Sequence, residues 1–276
     1  MKTPLVSSPL LPPILLKLLL VVFVILEFCT LCLKLSTCAY SQATSAGASA
    51  IYESRYIVDM PNAGLLKKSC YAINSQLISN GGILLDFTVA PLDFLNVGIS
   101  YACYEFVGGG EIIGQGAPGF NVKLRPLDET KNLPAISVGF YSQGKGLYLK
   151  NFSRFEQMAP GFYIVASKNY SWDLGNVSFH SAINYSIENS DEKGINIYGG
   201  LEQSVGKYAA IYIEINPNLN NTNKSILSNN LMLNTSIKAN IYKNISLELQ
   251  LRDLLSNSKY YNKVQRFIGL EFINIF

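Results

Sequence analysis

The chain has 276 residues and a formal net charge of +3, with 49% hydrophobic but only 15% charged residues, against roughly 25% charged in ordinary globular domains. Beyond residue 40 no window reaches the ~18 consecutive apolar residues of a spanning helix, so a polytopic helical membrane protein is excluded, and composition excludes intrinsic disorder and a collagen-like fibre. Without residues 1–43 the balance is 19 basic against 18 acidic, which leaves no electrostatic footprint for nucleic acid.

Residues 1–43 read as a signal peptide. Lys2 and Lys17 supply positive charge, Leu18–Leu33 an apolar core, and Ser41-Gln42-Ala43 a small-x-small cleavage site. Glu27 inside the apolar run argues against a permanent span, because a carboxylate at mid-bilayer costs a few kcal/mol. Leu35-Ser36-Thr37-Cys38 resembles the box before a lipidated cysteine, with Thr37 where glycine or alanine is expected. Residues 44–67 read as a periplasmic lead-in. Cys70 and Cys103 fall on opposite strand faces and are expected to stay unpaired, and no metal-ligand spacing is present.

From residue 68 to the C-terminus the chain alternates with period two. In 176–187, Val177, Phe179, Ile183 and Tyr185 oppose Ser178, His180, Ala182 and Asn184; in 245–252, Ile245, Leu247, Leu249 and Leu251 oppose Ser246, Glu248, Gln250 and Arg252. That is a strand with one greasy and one polar face. About twelve such segments are predicted, near 69–78, 82–90, 94–105, 119–126, 135–142, 161–169, 176–187, 194–203, 208–216, 230–242, 245–253 and 264–276. Tight links near 91–93, 132, 173–175, 205–207 and 242–244 alternate with longer ones at 106–118, 143–160, 188–193, 217–229 and 254–263. Short turns on one side and long loops on the other belong to outer-membrane barrels. No helix is available to cover so many greasy faces, and closing the sheet with its apolar face toward lipid solves both burial and edges. The fold class is therefore all-β: an antiparallel up-and-down transmembrane β-barrel of about 12 strands over residues 68–276, in the bacterial outer membrane.

The polar parity then predicts the lumen lining. Its acids are Asp86, Glu202, Glu214, Glu248 and Glu271; its bases are Lys123, Arg125, Lys238 and Arg252, with His180 beside them. Near neutrality predicts internal ion pairs, and the 242–244 turn sets Lys238 opposite Glu248. His180 is the sole histidine. Ser181 points away from it, and Ser178 is roughly 7 Å off along the strand, too far for a nucleophile–base hydrogen bond. No catalytic residue is assigned, and the chain is read as not an enzyme.

The stretch from Gly108 to Gly116 lacks the following helix of a phosphate loop. The loop 143–160 mixes Lys145, Lys150 and Arg154 with Tyr148 and Phe152; such a loop can contact a sugar or fold inward as a constriction, and a simple packed exterior loop is the commoner case. The Asn-rich 217–229 reads as a mobile loop. Phe272 and Phe276, at alternating positions of the last strand, resemble the C-terminal signal read by the barrel assembly machinery.

Leu133-Pro134-Ala135-Ile136-Ser137-Val138-Gly139-Phe140, then Gly144-Lys145-Gly146, then Val165-Ala166-Ser167-Lys168 are similar to bacterial barrels of the YjbH type, where a "PAIAVG" strand leads through a loop to a "VASK" strand. Asn121–Arg125 fits the strand before them. The resemblance spans about 121–170 and implies an outer-membrane location and a link to exopolysaccharide; no catalytic residues carry over. The leading function is a narrow channel or envelope component for exopolysaccharide or small-solute passage. The alternative is a non-conducting scaffold barrel binding partners through its loops, and a barrel hydrolase comes third. Expected partners are outer-membrane lipid, the assembly machinery and polysaccharide, with no cofactor, no metal and no nucleic acid.

Overall fold

The structure, a computed structural model, describes residues 53–276 apart from 108–110, 189–193, 207, 243 and 262. The export segment, residues 44–52 and Gly108–Gly110 lie outside the described residues. Fifteen strands follow in order: β1 (Cys70–Ile78), β2 (Gly82–Leu92), β3 (Leu95–Tyr104), β4 (Ile113–Gly114), β5 (Gly119–Leu127), β6 (Ala135–Tyr141), β7 (Lys145–Leu149), β8 (Arg154–Gln157), β9 (Gly161–Trp172), β10 (Gly175–Tyr185), β11 (Ile195–Val205), β12 (Ala209–Asn216), β13 (Met232–Tyr242), β14 (Ile245–Arg252) and β15 (Gln265–Ile275). Twelve of them form an antiparallel ring, β1-β2-β3-β5-β6-β9-β10-β11-β12-β13-β14-β15, which closes where β15 pairs back onto β1. The expected architecture and strand count are present. The short β4 adds to the edge of β3, and β7 and β8 form a separate hairpin.

Strand parity decides what faces where. Phe87, Ile99, Phe120, Phe162, Ile164, Ile183, Ile237 and Leu249 are all more than 40% exposed. Their alternating neighbours Asp86, Thr88, Ser100, Asn121, Ser167, Asn184, Glu202, Glu214, Ser236 and Gln250 are buried. A water-soluble protein arranges these classes the other way round. A closed ring satisfies every strand edge and turns the apolar face outward, which is the solution a bilayer demands.

One segment departs from expectation. Residues 53–66, read from sequence as part of a periplasmic lead-in, lie inside the ring, with Ile57, Val58, Asp59, Met60, Asn62, Ala63 and Leu65 all buried. The reason is chemical: this stretch carries apolar side chains that the wall's tyrosines can cover, and main-chain groups that the wall's charges can satisfy.

Candidate functional site: the filled lumen

Residues 53–66 form a tight turn. Ile57 N–H donates to Met60 O at 2.8 Å, Asn62 N–H donates to Arg55 O at 3.2 Å, and Tyr56 bridges Pro61. Its two arms cross closely at Gly64, where a Cβ would stand 1.8 Å from Ser54 O; no larger residue fits that approach. Val58 and Asp59 make the tip. Both arms run back to the short-turn rim, where Glu53 pairs with Arg125 at 2.6 Å near the end of β5 and Leu66 packs beside Cys70 and Ala90. Lys67 and Lys68, which join the segment to β1, are exposed.

The wall grips the segment mostly by its main chain. Lys123 Nζ donates to Arg55 O, Asn62 O and Gly64 O at 2.8, 3.0 and 3.1 Å. Glu214 Oε2 accepts the successive N–H groups of Val58, Asp59 and Met60 at 3.0, 2.8 and 2.8 Å, a backbone nest around an anion. Ser137 donates to Ala63 O at 2.9 Å, and Ala63 N–H donates to Ser167 Oγ at 3.0 Å. Tyr198 donates its hydroxyl to Pro61 O at 2.9 Å. Two ion pairs fix side chains: Arg55 with Glu271, and Asp59 with Arg252. Ile57, Met60 and Ala63 pack on Tyr141, Tyr163, Val165 and Tyr198, while Val58 packs on Ala210 and Tyr212.

From the long-loop end a second element enters. The β7–β8 hairpin folds inward: Tyr104 donates its hydroxyl to Gly146 O at 2.9 Å, and Gln143 bonds with Ser100 and Gln115. Above it, Leu149 and Phe152 meet Ile226, Leu227 and Met232. The Asn-rich link, expected to be mobile, is packed here, with Asn218, Asn220 and Asn221 buried. Arg154 donates to Phe155 O, Glu156 O and Asn221 Oδ1, each at 2.8–2.9 Å. Between the hairpin and the N-terminal turn a cavity of about 20 Å³ remains, lined by Asp86, Lys145, Lys238 and Glu248 among others. That is room for about one water. Among the described residues, the turn fills the lumen from one end and the hairpin from the other.

The sequence-predicted residues fall as follows. Asp86, Lys123, His180, Glu202, Glu214, Arg252 and Glu271 are buried on the inner face, and Lys238 and Glu248 are half-buried there. Arg125 sits instead at the rim, paired to Glu53 and Asp128, because β5 ends two residues later. Lys238 is opposite Glu248 in register, yet its ammonium goes to Glu271 at 2.6 Å. That carboxylate already holds Arg55 and so forms a three-member cluster. Lys238–Glu271 is a strand-to-strand pair, while Arg55–Glu271 and Asp59–Arg252 join strand to turn. Of the loop residues proposed for ligand contact, Lys145 and Arg154 are buried in the inward hairpin, Tyr148 and Phe152 are half-buried, and Lys150 alone is exposed. The loop folds inward instead of packing outside as the commoner case has it, because its aromatic side chains find cover there: Tyr148 packs edge-on against Phe155 with ring centroids 5.1 Å apart. Phe272 lies on β15 against Tyr71, and Phe276 is exposed, donating its N–H to Ser69 O at 2.9 Å. Cys70 and Cys103 are free thiols.

His180 has a partner that no single strand reveals. Ser167, directly across on β9, places Oγ 2.7 Å from His180 Nδ1. Glu202 Oε2 is 3.7 Å from Nε2, beyond hydrogen-bond range. Ser167 also accepts the Ala63 N–H, so the serine is engaged in holding the turn. Pairing β9 with β10 in register would have found it.

No family model matches the chain, and no curated protein matches it. Among solved structures, the KdgM porin aligns with a TM-score of 0.48 at 12% identity, covering 74% of this chain and 98% of that one. The KdgM porin in complex with disordered oligogalacturonate gives 0.47 at 11%, covering 74% and 98%. The NanC porin gives 0.42 at 6%, covering 75% and 99%. At these values the likeness concerns barrel architecture, and the reading of the lumen stands on this chain's own contacts.

Proposed function

We propose that this chain is a bacterial outer-membrane barrel shut at rest by residues 53–66 and the β7–β8 hairpin, a gated channel in which small-solute passage follows withdrawal of both elements. The observation that carries this reading is the lumen occupied by the turn and the hairpin, with a cavity of about 20 Å³ between them. The apolar exterior and the export segment read from sequence support the outer-membrane location. The link to exopolysaccharide is supported by the YjbH-like phrases, which lie on the neighbouring strands β6 and β9. Their inward serines, Ser137 and Ser167, hold Ala63 by its carbonyl and its N–H.

A second reading, a non-conducting scaffold barrel that binds partners through its loops, is favoured by the packing of the 143–160 and 217–230 links over the mouth. Planar-bilayer recording separates the two. The unsubstituted chain is expected to show no conductance steps, and steady open-channel conductance would end the closed-at-rest reading. Arg55→Ala with Asp59→Ala, in a chain whose hairpin residues 145–157 are replaced by a short glycine-serine link, is expected to produce openings. If that doubly substituted, folded barrel stays silent, the scaffold reading replaces the gated channel.

A further inference from the structure

The grip on residues 53–66 is that of a receptor on a ligand more than of a core on its own chain. Lys123, Glu214, Ser137, Ser167 and Tyr198 address carbonyl and N–H groups, which every peptide carries. Only two charged side chains are read deep in the lumen, Arg55 by Glu271 and Asp59 by Arg252, four positions apart. Among the described residues the turn enters and leaves at one rim, Glu53 at Arg125 and Leu66 beside Ala90. Its covalent tie to β1 passes through Lys67 and Lys68, both exposed.

We infer that the lumen is a peptide-binding site, occupied here in cis by residues 53–66, whose ligand class is a short peptide turn with arginine and aspartate four positions apart. Main-chain contacts supply affinity and depend little on sequence, while the two ion pairs set the register. An emptied site is physically tolerable. Water entering a barrel lumen solvates Lys123 and Glu214, so neither charge meets the cost of isolation in a dry interior. The site therefore has the properties of an exchangeable one: entry and exit at a single rim and polar walls that bear hydration.

The test uses the full chain with a long-recognition protease site inserted between Lys67 and Lys68. After cleavage in detergent, the resident fragment is challenged with a fluorescent synthetic peptide of residues 53–66. The labelled peptide is expected to replace the fragment while the barrel keeps its heat-modifiable gel mobility. An unlabelled peptide carrying Arg55→Ala and Asp59→Ala should compete roughly 100-fold less well, since both buried pairs are broken. A Met60→Leu peptide, which conserves volume, should compete within about tenfold. Three results would overturn the inference: a fragment that no peptide displaces up to millimolar concentration, equal competition by the peptide lacking both charges, or loss of the folded barrel on cleavage. The last would make the turn an integral core. None of these readouts is conductance, so a barrel that exchanges peptide yet stays electrically silent would sink the gating proposal and leave the site standing.

Discussion

Lys123 on β5 and Glu214 on β12 carry opposite charges on the same inner surface, and each is bonded to main-chain atoms of one intervening turn. The turn's carbonyls face the ammonium and its N–H groups face the carboxylate, so the peptide dipoles of residues 55–64 are sandwiched between two fixed charges. Hydrogen bonds to charged groups contribute about 1.5–3 kcal/mol each at most sites. Glu214→Gln removes the charge but keeps an acceptor. Amide hydrogen exchange at Val58, Asp59 and Met60 should then rise by roughly 10- to 100-fold. Unchanged protection at those three amides would show that the carboxylate does not hold the turn.

The Asp59–Arg252 pair is buried, and Arg252 also stacks on Phe267 at 3.9 Å. Asp59→Ala leaves a guanidinium without its counter-charge, which costs about 3–5 kcal/mol where water cannot enter. Replacing both, Asp59→Ala with Arg252→Met, should recover much of that loss. The temperature of the heat-modifiable gel shift reports it, with a coupling of about 2 kcal/mol expected from the double-mutant cycle. Strict additivity would mean that the two residues are neighbours without being partners.

Gly139, within the YjbH-like phrase, pairs with Lys123 on one side and Tyr163 on the other. A Cβ there would stand 2.5 Å from Val122 O, which is backbone and cannot swing away, and 2.5 Å from the Tyr163 hydroxyl. Gly139→Ala should destabilise the barrel by about 1–3 kcal/mol, and Tyr163→Phe should not rescue it. Gly269 is the internal control, since its Cβ would find nothing nearer than 3.6 Å. Equal tolerance of alanine at both positions would contradict the packing described.

The hairpin at the mouth carries a titratable group. Burial pushes the Glu156 carboxyl up to about 7, against the weaker opposing pulls of hydrogen bonding and Arg154, with Asp253 adding to the rise. A carboxyl whose folded value lies above its unfolded one binds more protons in the folded state. Its neutral form therefore supports the lid at low pH, and that support is lost as pH rises from about 4.5 through about 7. Glu188, which accepts the Ala159 N–H at 3.0 Å, is raised to about 7 by the same cause. Proteolysis within 143–160 should be faster at pH 8 than at pH 5.5, and Glu156→Gln should flatten most of that difference. A lid equally protected at both values, or more so at the higher one, would contradict the sign.

Alternation made the ring readable, because lipid and lumen impose opposite polarities on successive residues of every strand. The contents of the ring left a fainter mark. Residues 53–66 have no period, and nothing in their order marks the reversal at Ile57–Met60. A usable clue lay in the cross-strand register: Lys123 faces Gly139 and Asn96, and Glu214 faces Gly200 and Asn234. An inward charge flanked by glycine and an amide has no acid or base beside it and has empty space in front of it, which is room for a foreign backbone. The Ser167–His180 contact was hidden for the related reason that its two members share no strand.

The seam of the ring has a consequence for how the molecule comes to exist. Residues 70–77 pair with residues 268–275, so the ring cannot close until the last strand has arrived. Such a contact, between distant parts of the chain, is slow to form. The turn that fills the lumen precedes β1 directly, and its partners Lys123, Ser167, Tyr198, Glu214, Arg252 and Glu271 are spread over β5, β9, β11, β12, β14 and β15. It is made first and can meet each strand in turn as that strand is laid down. The segment that occupies the finished lumen is thereby placed to serve as the mandrel on which the barrel is wound.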